Sequence, residues 1–149
     1  MKLIKNISFF IVIAIFLTFL GVKLESKFLF KYLQENIISL LLILLAINTT
    51  TLGLIASKIQ DIVVKIPEID FSDTIKEMKK SLLEQIILII VSAFCLLLMD
   101  SVKITFEHKS EIGNVMLISI FIYAINILWD TGKSVFIIIE ELQNMKKEE

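Results

Sequence analysis

The residues of this sequence whose types and spacing could do chemistry lie along its last apolar segment. Ser119, Tyr123, Asn126, Asp130 and Lys133 follow one another at intervals of 4, 3, 4 and 3 positions. On an α-helix with about 3.6 residues per turn, these five residues share one face, and we call them the polar stripe. Such a face can line a water-filled passage for small solutes, or it can hydrogen-bond to a neighbouring helix. Of the two, we favour packing against a neighbour.

A second group of polar and small residues lies in the middle of an earlier apolar run. Asn48 is the strongest hydrogen-bonding group there, and Thr49, Gly53 and Ser57 recur every four residues. Small residues at this spacing let two membrane helices approach closely, and an Asn typically bonds to the adjacent helix for about 0.6–2 kcal/mol. The sequence predicts helix packing for these four residues. Whether the partner helix belongs to the same chain or to another copy stays open.

The remaining residue types argue against an enzyme. His108 is the only histidine and Cys95 the only cysteine, so neither a multi-Cys metal site nor an internal disulfide can form. Residues 132–134 resemble the end of a phosphate-binding loop, but Ile127 occupies the position of the required first glycine. The spacings assemble no nucleophile–base pair and no facing carboxylates. We therefore expect a non-enzymatic protein with no cofactor and no bound metal.

Four apolar runs must position these groups. Of the 149 residues, 56% are hydrophobic and the mean hydropathy is +0.85, which is more apolar surface than a small soluble domain can bury. The runs are close to the ~17–25 residues that cross about 30 Å of hydrocarbon. The sequence predicts an all-α, polytopic membrane protein. Its four-helix bundle would span the bilayer at about residues 6–23, 35–57, 81–100 and 112–130.

The lysines orient this predicted bundle. If the N-terminus is inside, ten of the fifteen lysines fall on cytoplasmic segments and five on outer loops. Cytoplasmic loops of membrane proteins carry the excess of basic residues. We therefore expect a protein of the cytoplasmic (inner) membrane with both termini in the cytoplasm.

The loop between the second and third runs has an amphipathic pattern of its own. Its apolar positions follow the i, i+3, i+4, i+7 spacing of one helix face: Ile59, Ile62, Val63 and Ile66. Pro67 would end that helix. The sequence thus predicts a cytoplasmic helical hairpin over residues 58–80 that extends helices 2 and 3. Its apolar stripe would dock a cytoplasmic protein or lie along the lipid headgroups.

Two further features concern helix ends. Thr74 and Glu77 match a capping box, which predicts the start of the third helix. After the fourth span, the spacing of apolar residues predicts a separate amphipathic cytoplasmic helix over residues 133–147.

Three non-enzymatic functions are compatible with this architecture. The first is a small effector that self-associates and forms a pore or perturbs the bilayer, as holins, toxins and membrane-acting phage-defence effectors do. The second is a scaffold or regulatory subunit that docks a soluble partner through the hairpin, and the third is a channel or transporter for a small solute. The small size, the short outer loops and the polar stripe favour the first. The expected partners are the lipid bilayer, further copies of the chain and a cytoplasmic protein; a net charge of -1 gives no basis for nucleic acid.

Overall fold

The computed structural model describes residues 2–67, 69–104 and 107–148, without the side chains of residues 2–7, 65 and 141–148. Four helices and no strand are present in these ranges. They are α1 (Lys2–Lys23), α2 (Phe28–Lys65), α3 (Ser72–Asp100) and α4 (Lys109–Glu148). The prediction of an all-α fold is confirmed for this part of the chain.

Three of these helices, α2, α3 and α4, are long and apolar enough to cross a membrane. In α1 the apolar stretch Ser8–Lys23 is shorter. Large apolar side chains point away from the bundle on every helix: Phe16 is 59% exposed, Ile43 57%, Ile90 63% and Phe136 66%. Water would penalise so much exposed apolar surface, whereas lipid solvates it.

Helix α4 is the centre of the bundle, because it packs against each of the other three helices, while α2 also packs against α3. Side chains from all four helices form one apolar cluster near the turn between α1 and α2, which we call the first apolar cluster. Its buried members are Ala14, Leu33, Ile37, Leu41, Cys95, Leu117, Ile118, Ile120 and Ala124.

A smaller cluster lies at the opposite end of the bundle, next to the turn between α2 and α3, which we call the hairpin end. Here Leu52, Ile55 and Ile59 of α2 pack against side chains of α3 and against Val135 and Ile138 of α4. Ile59 and Ile62 are only 6% and 3% exposed, whereas Val63 and Ile66 are 38% and 37% exposed. The residues predicted to dock a partner therefore divide into two that are buried in the chain's own core and two that are partly exposed.

Burial of Ile62 leads to a stability prediction. We expect Ile62→Ala to lower the free energy of unfolding by about 2–5 kcal/mol, because it leaves a cavity in a packed site. Val64→Ala is the matched control, since Val64 is 77% exposed and its loss should change stability by no more than about 0.5 kcal/mol. Chemical denaturation in mild micelles measures both. If Ile62→Ala were as stable as the control and instead abolished capture of a soluble protein, a docking role would be supported.

Helix α4 differs from its prediction, because it is one uninterrupted helix where a span and a separate C-terminal helix were expected. Gly132 lies inside it and costs about 1 kcal/mol relative to Ala. Packing of Val135 and Ile138 against α2 offsets this cost. The side chains at the end of the predicted C-terminal segment, residues 141–147, lie outside the described residues.

The start of α3 also differs, and the predicted capping box is wrong. The helix begins at Ser72, two residues before Thr74. Asp70 Oδ1 accepts hydrogen bonds from the backbone N–H of Ser72 at 2.8 Å and from its hydroxyl at 2.5 Å. These bonds satisfy a backbone donor that has no partner inside the helix, so the chain turns into α3 earlier. Because they favour the charged carboxylate, they also lower the pKa of Asp70.

Candidate functional site: an acidic cleft between α3 and α4

A cleft of about 530 Å³ lies between α3 and α4 at the hairpin end. It is bounded by Leu52 and Ile55 of α2, by residues 73–84 of α3 and by residues 123–134 of α4. Four of its lining side chains are carboxylates, from Asp73, Glu77, Glu84 and Asp130, and one is the ammonium group of Lys80. We call it the acidic cleft. Among the described residues, no three His, Cys, Asp or Glu are grouped closely enough to hold a metal ion.

The hydrogen bond between Tyr123 and Glu84 joins the two walls of the cleft. The Tyr123 hydroxyl donates to Glu84 Oε2 at 2.9 Å, and both side chains are partly buried. On its other side, the Tyr123 ring lies 5.8 Å from the ring of Phe10 in α1, measured between centroids. Tyr123, the second residue of the polar stripe, is thus held between α1 and α3 of its own chain.

The remaining members of the polar stripe divide between the cleft and its surroundings. Asn126 and Asp130 line the cleft, and Asn126 Nδ2 donates to Asp130 Oδ2 at 3.1 Å. Lys133 Nζ lies 2.7 Å from Asp130 Oδ1 and 5.7 Å from the centre of the Trp129 ring. Ser119 donates to Val115 O of its own helix at 2.7 Å. Three of the five stripe residues therefore face the acidic cleft.

A layer of buried polar side chains forms the wall behind the cleft. Asn48 is fully buried, and its Nδ2 donates to Ser81 Oγ at 3.0 Å and to Gln85 Oε1 at 2.9 Å. Ser81 Oγ lies 3.4 Å from Thr131 Oγ1 and also lines the cleft. We call these four residues the polar layer; they connect α2, α3 and α4. Within the described part of the chain, Asn48 Oδ1 and Gln85 Nε2 have no hydrogen-bond partner.

The small residues predicted to pack with Asn48 lie on a different face of α2. Thr49 and Ser57 are exposed, and the Thr49 hydroxyl donates to Leu45 O of its own helix at 2.8 Å. A Cβ added to Gly53 would meet no atom within 4 Å. The structure thus places Asn48 inside the bundle and the three small residues on its outer surface.

A second cavity, of about 370 Å³, adjoins the first at Tyr123, which lines both. It is bounded by Phe10 and Ile11 of α1, by residues 88–91 of α3 and by residues 115–123 of α4. We call it the apolar pocket. Among the described residues that line it, Ser119 and Tyr123 have the only polar side chains, and both hydroxyl groups donate elsewhere.

Sequence reasoning missed the residues that α3 contributes, namely Ser81, Glu84 and Gln85. A usable signal exists, because Ser81, Gln85 and Ser92 lie on one helix face and Glu84 interrupts the start of an apolar run. If α3 crosses a membrane, a charged residue within its span is a functional-site hypothesis by default.

Comparison of the chain with protein-family models, with curated protein sequences and with solved structures gives no match. A fold alone would not define a function in any case, because unrelated functions share folds.

Proposed function

We propose that this chain is a small, non-enzymatic protein of the cytoplasmic membrane that self-associates and makes the bilayer permeable to cations, as pore-forming effectors do. In this proposal α1 joins α2, α3 and α4 as a fourth span, and both termini and the hairpin end face the cytoplasm. The lysine distribution supports this orientation. The acidic cleft then opens on the cytoplasmic side and reaches into the inner half of the bilayer.

The observation that carries the proposal is the position of the Tyr123–Glu84 pair in an open cleft on the flank of the bundle. Polar and ionisable groups in a membrane face protein or a water-filled cavity, because exposure to lipid is costly. Further copies placed beside this flank would enclose the cleft in a hydrated passage. Carboxylates that line such a passage favour cations over anions.

A single copy is not expected to conduct by itself. The first apolar cluster closes the other half of the bundle, where Leu33, Ile37 and Leu117 are each at most 2% exposed. A conducting path that begins in the acidic cleft must therefore continue between copies of the chain. This requirement links permeation to self-association.

The outer face of α2 offers a surface for that association. Thr49, Gly53 and Ser57 allow another helix to approach closely, and Gly53 has open space around it. The Thr49 hydroxyl is already bonded within its helix, so covering it by another copy leaves no group unsatisfied.

The two alternative functions are less well supported. A scaffold that docks a soluble protein through the hairpin would use Ile59, Ile62, Val63 and Ile66. The first two are buried in the chain's own core, which leaves Val63 and Ile66 for a partner. A solute transporter would use the same acidic cleft, but a single copy could suffice. The oligomeric state in lipid therefore separates the proposed effector from a transporter.

The experiment measures mass in lipid nanodiscs, together with growth and membrane potential after expression. We expect an oligomer and loss of membrane potential. Gly53→Leu should weaken the oligomer and the depolarisation together, while the matched Gly132→Leu should not, since both glycines have open space within the chain. A monomer that leaves membrane potential unchanged would contradict the proposal. A monomer that accumulates a solute would favour the transporter.

A further inference from the structure

The acidic cleft and the apolar pocket meet at one side chain, that of Tyr123. Its hydroxyl bonds to Glu84 in the cleft, while its ring lies beside Phe10 at the edge of the pocket. With volumes of about 530 and 370 Å³, both cavities fall within the range of roughly 300–1,000 Å³ that is typical of small-molecule sites. A ligand that crosses Tyr123 would therefore have a charged environment at one end and an apolar one at the other.

The carboxylates that line the acidic cleft favour a ligand with a positive charge. Lys80 lies 3.3 Å from Glu77 and Lys133 lies 2.7 Å from Asp130, so among the described residues two of the four carboxylates, Asp73 and Glu84, form no ion pair. Glu84 receives its hydrogen bond from the neutral hydroxyl of Tyr123 and, among the described residues, has no ion-pair partner. An uncompensated, partly buried carboxylate attracts a cation more strongly than an exposed one, because water screens it less.

The polar layer adds a second feature to the cleft wall. Ser81 lines the cleft, and directly behind it Asn48 and Gln85 are 0% and 2% exposed. Each of these two side chains keeps one polar atom without a partner among the described residues. Buried amides in this state cost free energy, which a buried water bonded to both atoms would lower.

The apolar pocket selects the other half of the ligand. The Ser119 hydroxyl is bonded to its own helix at 2.7 Å, so the pocket presents no free donor. The rings of Phe10 and Tyr123, tilted by 39°, stand where the pocket meets the cleft. Aromatic faces attract organic cations, and apolar walls accept their hydrocarbon substituents.

We propose that one chain binds a small hydrophobic cation, with its charge beside Glu84 and its apolar group in the pocket across Tyr123. This inference goes beyond the proposed permeation, since it needs neither an oligomer nor a conducting path. Binding is measured without any measurement of conductance. A chain that conducts but does not bind the cation would contradict this inference alone, and a chain that binds but does not conduct would contradict the proposed function alone.

The test uses two probes of the same shape and opposite charge, tetraphenylphosphonium and tetraphenylborate. Equilibrium dialysis of the purified full-length chain in neutral detergent is compared with dialysis of empty micelles. We expect saturable binding of the cation, at least about tenfold tighter than any binding of the anion, because the Glu84 carboxylate attracts the cation and repels the anion. Equal binding of the two probes, or no saturable binding of the cation, would overturn the inference.

Variants then locate the site. Glu84→Gln keeps an acceptor for Tyr123 but removes the charge, and Ser119→Leu fills the apolar pocket; each should weaken cation binding by about tenfold or more. Asp100→Asn is the matched control, since it removes an exposed carboxylate at the far end of α3. Equal affinity of Glu84→Gln and Asp100→Asn would overturn the assignment. If Glu84→Gln fails to fold, the comparison of the two probes on the unaltered chain still decides whether the chain prefers a hydrophobic cation.

Discussion

Replacing Asn126 and Asp130 together with Leu is expected to lower ion conductance by at least about tenfold while the oligomer persists. Both residues line the acidic cleft, and they bond to each other and to Lys133 rather than to another helix. Their loss should therefore remove two polar groups from the α4 wall of the cleft without opening a packed interface. Two Leu side chains in their place would narrow the passage with apolar groups, which disfavours water and ions. Planar-bilayer recording gives the conductance, and mass in nanodiscs gives the assembly.

The control for this double variant is Glu140→Leu, which removes an exposed carboxylate from the same helix outside the cleft. Its conductance should match that of the unaltered chain. If the double variant conducts normally, or if it loses its oligomer, then the polar stripe serves to pack against a neighbouring helix and does not line a passage. That was the interpretation favoured by the sequence pattern alone.

The second large effect is expected in the polar layer. Asn48→Leu removes both hydrogen bonds that Asn48 donates and leaves the Gln85 amide buried without a partner. We expect the free energy of unfolding to fall by about 1–3 kcal/mol, the typical cost of an orphaned buried polar group. Reversible unfolding in mixed micelles measures it.

A double-mutant cycle makes this prediction specific. Adding Gln85→Met to Asn48→Leu removes the orphaned amide, so the double variant should lose less stability than the two single losses combined, by about 0.6–2 kcal/mol. Thr49→Val is the neighbouring control, because the Thr49 hydroxyl is exposed and bonded only to its own helix. Additive losses in the cycle would show that Asn48 and Gln85 do not interact in the protein.

Much of the fold could be predicted from the sequence because long apolar runs without a period-2 alternation are typical of helices and not of β-barrel strands. The spacing of apolar residues also predicts that α2 continues beyond its apolar run. In the structure α2 does so and ends at Lys65, two residues before Pro67. The spacing of Ile59 and Ile62 does not reveal whether side chains of this chain or of a partner bury them. An amphipathic face is the same whether it packs on its own chain or on a partner, and here the chain's own core buries it.

The candidate site was only half predictable for a related reason. Helical periodicity places Tyr123, Asn126 and Asp130 on one face, but it holds no information on the helix opposite. Tyr123 and Glu84 are 39 positions apart, so their contact depends on how α3 and α4 pack. The start of α3 was missed because Asp70, a turn residue outside the apolar pattern, captures the Ser72 N–H before the expected capping box begins.

The central claim is that assembled copies enclose the acidic cleft in a cation-permeable passage, and the reversal potential tests it most directly. Purified protein is placed in a planar bilayer of neutral lipid under a tenfold gradient of KCl. The claim predicts a current that reverses near the potassium equilibrium potential, about 59 mV from zero for a monovalent ion. A current that reverses near the chloride equilibrium potential, or no current at all, would contradict it.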